Sequence, residues 1–128
     1  MKILSGKFKN QSVGISRRFV YRPTTSIVRK SLFDALKPLE NKNFLDLYAG
    51  SGMIGFEASS RGADNVTFIE MNKQHMIQIR KSAESIPYSN FNFLVRDSIR
   101  FLKKCEKYDI IFADPPYGIG TVSYTHLR

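Results

Sequence analysis

The segment Asp114-Pro115-Pro116-Tyr117 combines residue types that could do chemistry, and it follows the apolar run 108–113. Two consecutive prolines form a rigid turn because each pyrrolidine ring fixes its own φ angle. Such a turn would hold an acidic side chain and an aromatic ring at the end of a strand. The segment therefore indicates a binding or catalytic site.

A second candidate site is the glycine-rich segment Asp46–Gly52 (DLYAGSG). Gly50 and Gly52 allow a sharp turn and let a ligand approach the backbone closely. A helix that begins after them would offer free N–H groups to the same ligand. Asp46 would repel a pyrophosphate but could attract a cation, such as the amino group of a methionine moiety. This segment predicts a cofactor loop.

Two further acidic residues fall where later strands are expected to end. Gly55 completes a formal GxGxxG pattern and Glu70 follows about 20 residues later, which meets the dinucleotide fingerprint. Glu70 would hydrogen-bond the ribose of NAD or of any other adenosine-containing cofactor, so these strands leave the cofactor open. Asp97 is placed where an adenine amino group could find an acceptor, although an acidic residue there is also a common helix N-cap.

The elements that must position these residues alternate between strand and helix from Phe44 onward. This alternation is typical of βαβ units, so the strands are expected to run parallel with right-handed crossovers. The fold class is therefore α/β, and ligands are expected beyond the carboxyl ends of the strands. Strands are predicted over 44–48, 66–70, 91–95 and 108–113, and helices over 53–61, 72–86 and 98–104.

The N-terminal segment predicts a small hairpin followed by a helix. One strand is predicted over Lys2–Phe8, and one or two more over Ser12–Tyr21. A helix is predicted from a cap at Thr24 or Thr25 to a point before Pro38. Its apolar face is predicted to comprise Val28, Leu32, Ala35 and Leu36.

Nearly all of the net charge lies in the first 30 residues. The chain has 20 basic and 11 acidic residues, a formal charge of +9, and its first acidic residue is Asp34. Residues 1–30 carry eight of the basic residues, so they hold +8, and the remaining 12 basic and 11 acidic residues nearly cancel. A segregated basic segment favours a polyanionic partner, the alternative being a solvated basic face.

Length and composition exclude several classes of protein. The 128 residues suit one domain, and 42% hydrophobic residues can build a core. No apolar run is long enough to span a bilayer or to form a signal peptide, so we expect no membrane partner. Cys105 is the only cysteine, which favours a reducing, cytoplasmic setting. His75 and His126 are too few and too scattered for zinc, so we expect no metal.

Taken together, these segments resemble the class I methyltransferases that use S-adenosylmethionine, and specifically the RsmD-like family of 16S ribosomal RNA guanine-N2 methyltransferases. The likeness covers nearly all of residues 1–120, and its motifs occur in the family's order and spacing. The motif at 114–117 is shared with adenine-N6 enzymes, so it indicates a reaction class, and the N-terminal motifs narrow the family. The matching segments are 2–10 (KILSGKFKN), 22–24 (RPT), 28–33 (VRKSLF), 46–52 (DLYAGSG) and 114–118 (DPPYG).

The resemblance implies a Rossmann-like sheet of which this chain supplies the first four of seven strands, in the order 3-2-1-4. It implies a basic RNA-binding extension over 1–24 and a methyltransferase domain over 25–120. Residues 121–128 do not resemble the family's continuation, which suggests a C-terminally truncated chain with a non-native tail. The fourth strand would then be an uncovered apolar edge.

The resemblance also implies roles for particular residues. A flipped guanine would stack on Tyr117 and hydrogen-bond, through its N2 amine, to the Asp114 carboxylate and the Pro115 carbonyl, within the catalytic set Asp114, Pro115, Pro116 and Tyr117. S-adenosylmethionine would be bound by Asp46, Ala49, Gly50, Ser51, Gly52, Glu70 and Asp97. Ribosomal RNA, within a small-subunit assembly particle, would be bound by Lys7, Lys9, Arg17, Arg18, Arg22 and Thr24. The chain is expected to be a monomer.

Three rival functions stay open. An adenine-N6 methyltransferase of DNA or RNA would use the same 114–117 motif. A non-catalytic RNA-binding protein with a vestigial cofactor fold would use only the basic segment. An NAD-dependent dehydrogenase would explain Gly50, Gly52, Gly55 and Glu70, but it leaves Asp46, the 114–117 motif and the basic segment without a use.

Overall fold

The computed structural model describes residues 1–14, 25–115 and 121–124, the last four through their backbone only. Within these residues the chain forms one sheet of five strands in the order β3-β2-β1-β4-β5, together with four α-helices. The strands are β1 Asn43–Leu47, β2 Asn65–Ile69, β3 Phe91–Leu94, β4 Ile110–Ala113 and β5 Thr121–Tyr124. The helices are α1 Ser26–Leu36, α2 Met53–Ser60, α3 Lys73–Ala83 and α4 Ser98–Lys104.

The first four strands are parallel, as the alternation of strand and helix predicts. β1 pairs with β2 on one side and with β4 on the other, and β3 lies beyond β2. In this register Leu47 lies opposite both Ile69 and Ala113, and Ile69 lies opposite Leu94. The residues that follow these four therefore emerge at the same edge of the sheet. The predicted 3-2-1-4 order is confirmed.

The prediction that the fourth strand is an uncovered edge is wrong. β5 pairs with β4 in antiparallel register, with Thr121 opposite Ala113 and Tyr124 opposite Ile110. Its backbone takes up the hydrogen-bonding groups that β4 would otherwise present to solvent. The sheet is therefore mixed, with one antiparallel strand added to four parallel ones.

Helix α2 is buried over its whole length, and the sheet packs directly against it. Gly55 makes this close approach possible, because a Cβ at that position would clash with the Phe68 ring on β2. The Phe68 ring in turn lies 5.1 Å from the Phe56 ring and 5.5 Å from the Phe91 ring. This aromatic cluster fixes α2, and with it the loop between β1 and α2.

One prediction for the N-terminal region is wrong, and another falls mostly outside the described residues. The predicted strand Lys2–Phe8 is mostly a turn, with a single antiparallel bridge between Lys2 and Ser12. The strands predicted within Ser12–Tyr21 lie outside the described residues from residue 15 onward.

Helix α1 begins as predicted, but only part of its predicted apolar face is buried. Its N-cap is Thr25, whose hydroxyl accepts the N–H of Val28. It buries Arg29, Phe33 and the predicted Leu36, and the predicted Leu32 is half-buried against the core, whereas Val28 and Ala35 are exposed. Arg29 lies on the buried face of α1 because it pairs with a buried carboxylate, as described below.

Candidate functional site

The carboxyl ends of β1, β2 and β4 bring together three acidic residues. Asp46 lies on β1 one residue before Leu47, while Glu70 and Asp114 directly follow the residues paired with Leu47. The predicted convergence of acidic side chains at this edge is therefore present. The Asp46 carboxylate is 2% exposed, and its Oδ2 accepts the backbone N–H of Gly55 at 3.0 Å.

Burial and the two neighbouring carboxylates determine the electrostatics of Asp46. Burial raises the pKa of Asp46 well above its usual value, because water no longer solvates the charge. The hydrogen bond from Gly55 opposes this rise, and the negative charges of Glu70 and Asp114 add to it. A cationic ligand would relieve this repulsion. The sequence likewise predicts that Asp46 attracts a cation.

Glu70 closes the loop that follows β1. Its Oε1 accepts the N–H of Gly50 at 2.9 Å, and its Oε2 accepts the N–H of Asn72 at 2.8 Å. His75 Nδ1 lies 3.9 Å from Oε2. Each carboxylate oxygen keeps further acceptor capacity, so Glu70 can also bind hydroxyl groups of a ligand.

The loop itself needs its glycines. Gly50 and Gly52 have φ angles of +58° and +80°, and a Cβ at Gly52 would lie 2.9 Å from the Phe56 ring. Tyr48 adopts a φ of +53°, a left-handed conformation that strains a residue with a Cβ. Strain of this kind concentrates at functional sites.

The other two predicted cofactor residues shape the same loop. The Ala49 N–H donates to Ile69 O at 3.1 Å, and the Ala49 carbonyl accepts the N–H of Gly52 at 2.8 Å. The Ser51 hydroxyl accepts the N–H of Met53 at 3.4 Å. These bonds hold the loop in a closed turn at the start of α2.

Asp97 lies apart from the three acidic residues, after the outer strand β3. It is the N-cap of α4, and its Oδ1 accepts the N–H of Arg100 at 3.0 Å. Asp97 is therefore a helix N-cap, which is one of the two roles that the sequence allows for it. Its side chain is exposed, so a second role toward a ligand stays a prediction.

Two apolar side chains at this edge are absent from the predicted site. Met71 directly follows Glu70 and is 66% exposed, and Ile99 comes two residues after Asp97 and is 52% exposed. Exposed apolar groups beside polar ones suit a flat ligand such as a purine. The sequence signal for both side chains is their position shortly after an acidic residue that follows a strand.

The predicted catalytic motif at 114–117 is described only in part. Asp114 and Pro115 directly follow β4, so they adjoin the loop after β1. Pro116 and Tyr117 lie outside the described residues, and no geometry is assigned to them.

The predicted RNA-binding residues divide in the same way. Lys7 and Lys9 are exposed in a loop that packs on α2, whereas Arg17, Arg18, Arg22 and Thr24 lie outside the described residues. Arg29 belongs to the basic segment of the sequence, but it is 2% exposed and cannot contribute to a surface for RNA. The basic segment therefore offers one cation fewer than its sequence suggests.

Metal-binding clusters and membrane-spanning helices are both absent from the described residues. Among them, no three His, Cys, Asp or Glu side chains are grouped in a way that could hold a metal ion. No helix in the described part of the chain is both long and apolar enough to cross a membrane.

The strand order, the glycine turn after β1 and the acidic residues after β2 and β4 define a class I methyltransferase fold. The chain belongs to the RsmD-like family, whose model, described as Conserved hypothetical protein 95, matches residues 1–127. It is 36% identical over 126 residues to ribosomal RNA small subunit methyltransferase D of Buchnera aphidicola subsp. Acyrthosiphon pisum (strain APS), covering 96% of this chain and 66% of that protein.

Solved structures share this fold. The structure of yhhF from Escherichia coli matches with a TM-score of 0.81 at 30% identity, over 91% of this chain and 64% of that one. The crystal structure of SMU.776 complexed with SAH shares the fold, with a TM-score of 0.61 at 24% identity over 70% of this chain and 25% of that one. The chain spans about two thirds of the length of the curated relatives that it matches, 66% and 65% for two of them.

Proposed function

We propose that this chain carries the cofactor and target-base sites of an S-adenosylmethionine-dependent methyltransferase that modifies the exocyclic N2 of a guanine in small-subunit ribosomal RNA. The observation that carries this proposal is the convergence of Asp46, Glu70 and Asp114 beside the glycine turn. Membership of the RsmD-like family supports the choice of ribosomal RNA.

The residues present fit this cofactor. Asp46 is a buried carboxylate with two negatively charged neighbours, so it favours a ligand with positive charge. Glu70 would bind the ribose hydroxyls, and the Gly50 and Gly52 turn leaves room for the ligand against the backbone. Met71 and Ile99 would pack on the adenine, with Asp97 as acceptor for its amino group. When bound, S-adenosylmethionine supplies an electrophilic methyl group on a sulfonium.

The substrate amine would be held at the end of β4. An exocyclic amine is a poor nucleophile because its lone pair is delocalised into the ring. Asp114 and the Pro115 carbonyl would accept its two N–H groups, which favours a pyramidal nitrogen with an available lone pair. Positioning of this kind can contribute up to about 7–11 kcal/mol to catalysis. Asp114 would then take the proton that the nitrogen loses or pass it to water.

The basic N-terminal segment would bind the RNA. Lys7 and Lys9 would contact phosphates, and Arg17, Arg18, Arg22 and Thr24 would extend the same surface. We infer that the substrate is ribosomal RNA in a small-subunit assembly particle, and that the protein acts in the cytoplasm as a monomer without a metal.

The experiment measures transfer of a labelled methyl group from S-adenosylmethionine to unmodified small ribosomal particles. It uses the 128-residue chain and, in parallel, a chain extended through its reading frame to the length of the relatives. The test variant is Asp114→Ala, and Glu84→Gln at the exposed end of α3 is the matched control. We expect label on guanine N2 that is lost in Asp114→Ala and kept in Glu84→Gln.

Other outcomes would select the rival functions. Label on adenine N6 would select the adenine methyltransferase. RNA binding without methyl transfer and without S-adenosylmethionine binding, in both chain lengths, would select the non-catalytic RNA-binding protein.

A further inference from the structure

Glu57 is a fully buried carboxylate in the middle of α2, and it has no place in the site described above. Its two oxygens accept backbone N–H groups from the N-terminal segment. Leu4 N donates to Oε1 at 2.8 Å, and Ser5 N donates to Oε2 at 3.1 Å. The carboxylate therefore captures a stretch of chain that lies more than 50 residues away in the sequence.

Two arginines compensate the charge of Glu57. Arg61 Nε donates to Oε2 at 2.9 Å, and Arg29 Nε lies 3.4 Å from Oε1. Arg29 also donates from Nη2 to the carbonyl of Lys2 at 2.8 Å, so it ties α1 to the same segment. A buried charge cluster is weak evidence for stability, since apolar side chains of similar size often serve as well. In some proteins such a cluster instead fixes one arrangement of the chain.

Ser60, one turn further along α2, holds the rest of the loop. Its hydroxyl accepts the N–H of Phe8 at 2.8 Å and donates to the carbonyl of Ser5 at 2.5 Å. Its carbonyl accepts the N–H of Lys7 at 2.8 Å. The loop lies so close to α2 that a Cβ at Gly6 would clash with the Ser60 carbonyl. Residues 4–8 are therefore fastened to α2 by their backbone.

This arrangement leaves the side chains of Lys7 and Lys9 exposed while their backbone is fixed. Helix α2 begins directly after Gly52, so the helix that carries Glu57 also carries the cofactor turn. A rigid helix thus sets the distance between the two lysines and the cofactor turn.

We propose that Glu57 is a positioning residue for RNA: it fixes the N-terminal loop so that Lys7 and Lys9 hold RNA phosphates at a set distance from the Gly50–Gly52 turn. The inference rests on the proposed function, since it assumes that these lysines bind RNA. A purely structural Glu57 would stabilise the fold without affecting how RNA is bound.

A positioning role and a purely structural role of Glu57 predict different effects on RNA binding when the charge of Glu57 is removed. Glu57→Gln removes a negative charge, and on net charge alone it would strengthen binding to RNA. If Glu57 positions the loop, the same substitution weakens binding, because the amide cannot accept both backbone N–H groups and hold both arginines. Glu84→Gln makes the same chemical change on the exposed surface of α3 and serves as the control.

The experiment measures the affinity for unmodified 16S ribosomal RNA, transcribed in vitro, as a function of salt concentration. We expect Glu57→Gln to bind about tenfold more weakly than the wild type. The plot of log K against log salt has a negative slope, and we also expect its magnitude to decrease by about 1.4–1.8. This decrease corresponds to two lost phosphate contacts. The affinity for S-adenosylmethionine should stay within about twofold, and Glu84→Gln should bind RNA at least as tightly as the wild type.

Two further variants keep the test decisive. Ser60→Ala removes a loop contact without any change of charge, and it should also weaken RNA binding and lower the salt slope, even if Glu57→Gln fails to fold. Lys7→Ala/Lys9→Ala should weaken binding in the wild type but have no further effect in the Glu57→Gln background, since coupled residues are non-additive.

The outcomes separate this inference from the proposed function. Wild-type affinity and slope in the folded Glu57→Gln variant, or in Ser60→Ala, would overturn the positioning role alone. An affinity for RNA that does not depend on Lys7 and Lys9 in the wild type would instead overturn the RNA-binding role given to the loop.

Discussion

The Asp46 carboxylate accepts the backbone N–H of Gly55 at 3.0 Å and so joins the end of β1 to the first turn of α2. The bond satisfies one of the N–H groups that a helix leaves free at its start. It also leaves the charge of Asp46 only partly compensated, because burial raises the pKa of this carboxyl and Glu70 and Asp114 raise it further. Asp46 therefore combines a structural bond with an unfavourable charge, which is typical of a ligand site.

Asp46→Asn should increase stability and weaken cofactor binding. Because the folded-state pKa of Asp46 lies above its ordinary value of 3.8, the native state holds a proton that the unfolded state has lost at pH values between these two pKa values. The stability of the wild type therefore falls as pH rises from about 3.8 through the folded-state pKa. The amide keeps an acceptor for Gly55 N–H and removes this loss, so the advantage of Asp46→Asn should grow with pH.

Urea unfolding between pH 4 and pH 8 measures the first effect, and titration with S-adenosylmethionine measures the second. We expect the affinity to fall by about 10- to 100-fold, as for the loss of a hydrogen bond to a charged group. A variant that binds the cofactor as tightly as the wild type would show that Asp46 serves only the loop.

Gly55→Ala should destabilise the fold by about 1–3 kcal/mol, the usual cost of overpacking a core. The added methyl group would clash with the Phe68 ring and lie 3.0 Å from Val66 Cγ1. Gly14→Ala is the control, because the nearest atom there is Nε2 of Gln78, at the end of a flexible side chain. Chemical unfolding of both variants checks this, and the control should stay within about 0.5 kcal/mol of the wild type.

A second substitution tests whether the cause is contact with the ring. Phe68→Leu makes room beside Gly55, so the combined Gly55→Ala/Phe68→Leu variant should be more stable than the sum of the single effects implies. Strict additivity would mean that the cost of Gly55→Ala arises elsewhere in the helix.

Tyr88→Phe should lower stability by about 1–3 kcal/mol without changing cofactor binding. The Tyr88 hydroxyl donates to the carbonyl of Ala63 at 2.5 Å, and this acceptor would lose its donor. Both residues precede the strands β3 and β2, at the edge of the sheet opposite the site. Thermal unfolding and S-adenosylmethionine titration distinguish this result from a role in the site.

The same hydroxyl predicts a pH dependence. Burial raises the pKa of Tyr88 to about 12, and the negative charge of Asp64 adds to the rise. The contribution of Tyr88 to stability is therefore complete below pH 10 and is lost as pH rises toward 12. Between pH 9 and pH 12 the wild type should lose more stability than Tyr88→Phe, and equal losses would contradict the assignment.

The parallel sheet could be predicted because each of its strands can be recognised from its own residues. Strands β1, β2 and β4 are short apolar runs bounded by turns and helices. A strand that is buried on both faces is apolar at nearly every position, so its composition indicates its burial. Asp46, Glu70 and Asp114 could be placed for the same reason, since each lies at or directly after such a run. Met71 and Ile99 could have been placed in the same way.

The N-terminal region could not be predicted because its partners are distant in the sequence. The alternation in Lys2–Phe8 resembles a strand, but Glu57 and Ser60 bind its backbone as a turn. By its sequence position Arg29 belongs to the basic segment, and only its contact with Glu57 reveals that it is buried. β5 was missed because four residues carry little periodicity, and its pairing with β4 is decided by the sheet.

Asp97→Ser separates the two roles of the residue that caps α4. Serine is an N-cap as good as aspartate, so the variant should keep the stability of the wild type within about 0.5 kcal/mol. Its hydroxyl is shorter and uncharged, so a bond to an adenine amino group would be lost. If Asp97 binds the cofactor, the affinity for S-adenosylmethionine should fall by about 10- to 100-fold.

Asn72→Ser provides a matched control, because Asn72 caps α3 in the same way, with its Oδ1 accepting the N–H of His75 at 3.0 Å. Calorimetric titration of both variants with S-adenosylmethionine and with adenosine then isolates the adenine contact, since both ligands carry the amino group. An Asp97→Ser variant that binds both ligands as tightly as Asn72→Ser does would leave Asp97 with its structural role alone.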